Sequence, residues 1–125
     1  MFLDTNFLIE MARELEDRQV GPARTFLGRH RTRPPRVTVI SLGELAAGLA
    51  DNEAARAFLA RFQIVTLKAE ISLMGAEVDR HLIARGMRLG ENDTWIAGFC
   101  LYYGEPLVSK DRDFDRVQGL RRLAY

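Results

Sequence analysis

Cross-linking chemistry is nearly absent from this chain: one cysteine, Cys100, stands among 125 residues. No internal disulfide can form, which suits a reducing compartment, and Cys100 itself lies in an apolar stretch where a small core residue is expected. No run of about 18 apolar residues occurs, so a membrane-spanning helix is not expected. The N-terminus also lacks the basic segment that precedes the apolar part of a signal peptide. A soluble, cytoplasmic protein is the expectation. The two histidines, His30 and His81, lie near no acidic motif and read as surface or hydrogen-bonded residues. Charge of one sign is missing as well: the formal net charge is +1, so bulk electrostatics do not mark a nucleic-acid binder. No repeat, linker or low-complexity tract divides the sequence. With 47% hydrophobic residues, residues 1–125 read as one domain able to bury roughly two thirds of the surface its unfolded chain exposes.

What is present is an alternation of short apolar runs and helical stripes. Met1-Phe2-Leu3 reads as a buried strand that stops at Asp4-Thr5-Asn6, and Phe7, Leu8, Met11 and Leu15 give a helix over residues 7–16. Pro22 suits the first position of a second helix, to Leu27. Val37-Thr38-Val39-Ile40 is a β-branched second strand. Ser41-Leu42-Gly43-Glu44 follows with capping-box spacing, so Glu44 can be read simply as a cap for a helix to Leu49. A further helix is expected from Asp51-Asn52 to Phe62, a strand over Ile64–Leu67, and a helix over 69–85 with Ile71, Met74, Val78 and Leu82 in its stripe. Asp93 occupies the first turn of the next helix, where an acid favours the positive end of the helix dipole. Leu107-Val108-Ser109 is a fourth strand, Lys110 to Asp115 an acidic turn, and a short edge strand closes the chain near Gly119–Tyr125.

Strands alternating with helices imply right-handed βαβ units around a mostly parallel sheet, with ligand sites at the carboxyl ends of the strands. Asp4, Glu44 and Asp111 or Asp113 fall at such ends, and Asp93 can join them from its helix. Carboxylates gathered this way raise one another's pKa unless a cation is present. Oxygen-only donors select hard ions, and Mg²⁺ or Mn²⁺ that keeps several waters fits best. The chemistry this points to is metal-assisted phosphodiester hydrolysis.

These segments resemble the four signature stretches of PIN-domain ribonucleases, and most closely the VapC-type toxins of toxin–antitoxin pairs. The stretches are Asp4-Thr5-Asn6, Glu44 within Ser-Leu-Gly-Glu-Leu, Asn92-Asp93-x-x-Ile96-Ala97, and Ser109-Lys110-Asp111-Arg112-Asp113-Phe114. The resemblance spans nearly the whole chain. It implies a three-layer α/β/α sandwich and a Mg²⁺- or Mn²⁺-dependent endoribonuclease, homodimeric and neutralised by a cognate VapB-like antitoxin. Asp4 and Asp93 would be metal ligands and Glu44 a third acid orienting metal waters. Either Asp111 or Asp113 would supply the fourth carboxylate, Asp111 being the ligand where it does. Thr5, Asn6 and Ser109 would hold the carboxylates in place. Gly98 stands where relatives often carry Ala, which costs a little helix stability.

Two small α/β phosphotransfer folds fail on particular residues. A response-regulator receiver needs adjacent acids after its first strand, where Thr5 follows Asp4, and a haloacid-dehalogenase phosphatase needs Asp-x-Asp, where Asn6 stands. The alternative retained is a non-cleaving module of the same fold that binds RNA or an antitoxin. Arg24, Arg29, His30, Arg31, Arg33 and Arg36 form a basic cluster, and Arg33 and Arg36 are the candidates for contacting RNA, most readily in single-stranded loops. For the antitoxin, an Arg inserted among the acids and a groove over exposed Leu8, Met11, Leu49 or Phe58 are expected.

Overall fold

The computed structural model describes residues 1–125. Twelve elements follow in order: β1 (Phe2–Leu3), α1 (Thr5–Glu16), α2 (Pro22–Arg29), β2 (Arg36–Thr38), α3 (Val39–Gly48), α4 (Asn52–Leu59), β3 (Gln63–Val65), α5 (Ala69–Ala84), α6 (Glu91–Tyr103), β4 (Leu107–Val108), a 3₁₀ turn (Arg112–Arg116) and β5 (Arg122–Leu123). The strands pair in the order β3-β2-β1-β4-β5, and every pair is parallel. The first strand is therefore central, with β1 between β2 and β4.

Alternation along these short strands divides the core into two layers. Phe2 and Leu107 face Ile71, Val78 and Leu82 of α5 and Ile96 and Phe99 of α6. Leu3, Val37 and Val108 face Phe7, Leu8 and Met11 of α1, Phe26 of α2 and Leu59 of α4. This is the expected α/β/α sandwich. Leu8 and Met11, expected on the surface, are instead buried against the sheet, because the stripe that makes α1 amphipathic is the stripe that covers β1. They cannot form a groove for a partner.

Caps set boundaries that periodicity misplaces. Helix α1 begins at Thr5, two residues before Phe7, because the Asp4 carboxylate accepts the Phe7 N–H at 2.7 Å. The strand expected through Ile40 ends at Thr38, whose hydroxyl accepts the Ser41 N–H at 3.1 Å and starts α3 at Val39. Ser41 is thus inside the helix, and Glu44 is no part of a capping box. Helix α2 runs two residues past Leu27, α4 stops at Leu59 rather than Phe62, and β3 ends at Val65.

Two close approaches need glycine. At Gly98 a Cβ would sit 3.0 Å from Gly75 N and Ile71 O, so the backbones of α5 and α6 touch there. Gly98 therefore sets the depth at which α6 packs, rather than merely weakening the helix. At Gly21 a Cβ would meet the Glu14 carboxylate at 2.4 Å. Glu14, buried on α1, accepts the Ala23 and Arg24 N–H groups at 2.9 Å each and so caps α2 from a neighbouring helix.

Candidate active site

Asp4 leaves β1 at the centre of the sheet and is only 4% exposed. One of its oxygens takes the Phe7 N–H, and the other accepts the hydroxyl of Ser109. Ser109 Oγ in turn accepts the Asp111 N–H at 3.0 Å. The end of β4 is thereby laced to the end of β1. Burial raises the Asp4 pKa, against the lowering effect of these two hydrogen bonds, and Asp111 and Glu44 raise it further.

Asp4, Thr5, Asn6, Ile9, Glu44, Asp93, Asp111 and Phe114 line one cleft of about 190 Å³. Glu44 is held by the Thr5 hydroxyl at 2.7 Å. Behind that bond lie Ser41 Oγ, 3.0 Å from Thr5, and Thr38 Oγ1, 3.3 Å from Ser41. With one proton per hydroxyl, the three oxygens can pass their donors in sequence toward Glu44, a chain whose bonds strengthen one another. Asp93, in the first turn of α6, has its pKa pushed up to about 6, first by burial and then by Glu44, Asp111, Asp4 and Asp113. No Lys or Arg lines the cleft. Two cations next to its strand ends are already engaged: Lys110 binds Glu10 at 2.8 Å and Arg122 binds Asp115 at 2.8 Å.

Four carboxylates facing one another without a counter-ion are a donor set for a hard divalent cation. No three of them form a tight metal-binding group of their own, so an ion fitting here would retain much of its water, as Mg²⁺ ordinarily does. The residues fit such an ion by their chemistry.

The PIN domain family model matches residues 1–120. The chain belongs to the PIN-domain family. Its fold is similar to solved toxin–antitoxin structures. Over 99% of this chain and 97% of the other it superposes on VapBC2 from Rickettsia felis bound to a promoter DNA fragment, with a TM-score of 0.82 and 21% identity. DNA-bound VapBC from Salmonella typhimurium gives 0.80 at 22% identity over 98% and 96% of the two chains. VapBC-1 from nontypeable Haemophilus influenzae gives 0.76 at 24% over 98% and 96%. No curated protein matches the chain.

In this PIN domain the fourth position is divided between two acids by geometry. Asp111 lines the cleft, whereas Asp113 is exposed and pairs with Arg116 at 3.0 Å. The Asp111 carboxylate also accepts the Asp113 N–H at 2.8 Å, opening the 3₁₀ turn. Arg33 and Arg36 are not brought to the acids. Both lie where β2 begins, at the opposite edge of the sheet from its carboxyl end. The Arg36 guanidinium bonds to Glu105 at 2.7 Å and lies over the rings of Phe2 and Tyr103 at 4.8 and 4.3 Å. Its role is to close the bottom of the sheet. Thr38 and Ser41 were not legible as supports for Glu44, since their spacing reads equally as strand end and cap. Their one sequence signal is a pair of hydroxyl residues at three-residue spacing leading up to Glu44.

Proposed function

We propose that this chain is a VapC-type toxin: a metal-dependent endoribonuclease that hydrolyses RNA phosphodiester bonds and is neutralised by a cognate VapB-like antitoxin. The observation carrying this reading is the four-carboxylate cleft at the carboxyl ends of β1, β2 and β4, with no cation of the protein's own facing it. Asp4, Asp93 and Asp111 would hold Mg²⁺ or Mn²⁺, and Glu44 would orient its waters. When bound, such an ion lowers the pKa of a water and offsets charge developing on a phosphodiester.

The chain's own residues supply the positioning. Ser109 fixes the Asp4 carboxylate, the Asp111 N–H fixes Ser109, and Thr5 fixes Glu44. The depth of α6, set at Gly98, fixes Asp93. That the similar solved structures are toxin–antitoxin complexes supports an antitoxin partner, and a homodimer follows the same resemblance.

The test is cleavage of total cellular RNA with Mg²⁺ or Mn²⁺, with EDTA, and by Asp4→Asn. Cleavage abolished in both controls is the expected result. Intact RNA throughout, with a folded protein, overturns the nuclease reading in favour of a binding module.

A further inference from the structure

A second concavity, of about 540 Å³, lies between α2 and the last residues of the chain. Phe26, Arg29 and His30 line it from α2, and Arg122, Leu123 and Tyr125 from the end of the chain. No Asp or Glu is among its lining residues. Arg122 is engaged by Asp115, but Arg29 is exposed and in no ion pair.

His30 lies flat on Phe26, with ring centroids 4.0 Å apart and planes at 20°, and its Nδ1 is bonded to the Phe26 carbonyl at 2.9 Å. One face of an oriented, exposed ring is therefore presented beside a free guanidinium. A pre-set aromatic face next to a cation is what a stacked base and its phosphate require.

Packed side chains link the concavity to the cleft. The Tyr125 ring is 4.6 Å from that of Phe7, whose N–H holds Asp4. Lys110, which precedes Asp111, sits 4.5 Å over the Tyr125 ring, and both residues bond to Glu10.

We propose that this pocket holds a nucleotide of the RNA strand flanking the scissile phosphate, its base stacked on His30 and its phosphate on Arg29. The assignment rests on RNA being the substrate. It moves strand recognition from Arg33 and Arg36 to the middle of the same basic cluster.

Two measurements on the full chain test it. Binding of a short fluorescein-labelled single-stranded RNA is followed by anisotropy in EDTA, and KM and kcat are measured with Mg²⁺. Arg29→Ala and His30→Ala should each weaken binding and raise KM about tenfold with kcat unchanged, the size of one lost base–aromatic contact; Arg29→Glu should do more. Affinity and KM unchanged in the double Ala variant would overturn the proposal and leave the nuclease reading standing. RNA bound through Arg29 and His30 but never cut would overturn the nuclease reading and leave the pocket.

Discussion

Two carboxylates at opposite ends of α1, Asp4 and Glu14, are both buried, at 4% and 8% exposure, yet their surroundings are opposites. Glu14 faces the N-terminal N–H groups of α2 and spends both oxygens on them. Helix dipole and hydrogen bonds compensate its charge. Asp4 also receives two hydrogen bonds, but it looks out on Glu44, Asp93 and Asp111. A buried acid that the fold satisfies is a strut. One that the fold surrounds with more acids is, on the proposed reading, a ligand for a cation.

The contrast is broken most sharply by removing charge at each position. Asp4→Asn should reduce RNA cleavage by at least about 10²-fold, because a ligand is lost where even supporting residues cost 10–100-fold, while the urea midpoint without metal holds or rises as like-charge repulsion falls. Glu14→Gln should do the reverse. It puts an amide donor against backbone donors and should cost about 1–3 kcal/mol in urea unfolding, leaving the metal dependence of cleavage unaltered.

Acidity sharpens the comparison. The folded pKa of Asp93, about 6, lies above its ordinary value of 3.8. The stability linked to this group is thus fully present below about 3.8 and lost as pH rises through about 6. Metal-free protein should melt at a lower temperature at pH 7 than at pH 5 on this account. Added Mg²⁺ should restore more of that loss at pH 7, since below pH 6 binding must displace a proton; a restoration independent of pH would show that Asp93 does not hold the ion. The smallest effect is expected at Asp113→Asn, which trims an exposed pair worth about 0.2–1 kcal/mol and should leave kcat within about twofold, against a loss like that of Asp4→Asn for Asp111→Asn.

Legibility in the sequence followed the same division. Asp4, Glu44 and Asp93 could be found because strand ends and helix starts are local signals, and parallel topology brings such ends together. The sandwich and the strand count were readable for the same reason. What the alternation of elements could not disclose was who supports whom. Glu14 capping α2, Arg36 lying over Phe2 and Tyr103, and Thr38 and Ser41 standing behind Glu44 all depend on packing between elements, which no spacing records. Leu8 and Met11 were misplaced because an apolar stripe does not say whether it covers the chain's own sheet or awaits a partner.

The bond between Ser109 and Asp4 joins residues 105 positions apart. Strands β1, β2 and β3 and their helices can pair as soon as they leave the ribosome, since chains fold from the N-terminus at about 5–20 residues per second. The rim they form carries Asp4 and Glu44 but neither Ser109 nor Asp111, which arrive with β4. A nascent copy therefore holds half a cleft until β4 joins the sheet. If the chain cuts RNA as proposed, the connectivity of the sheet withholds the complete cleft until the segment carrying Ser109 and Asp111 has been made and β4 has paired with β1.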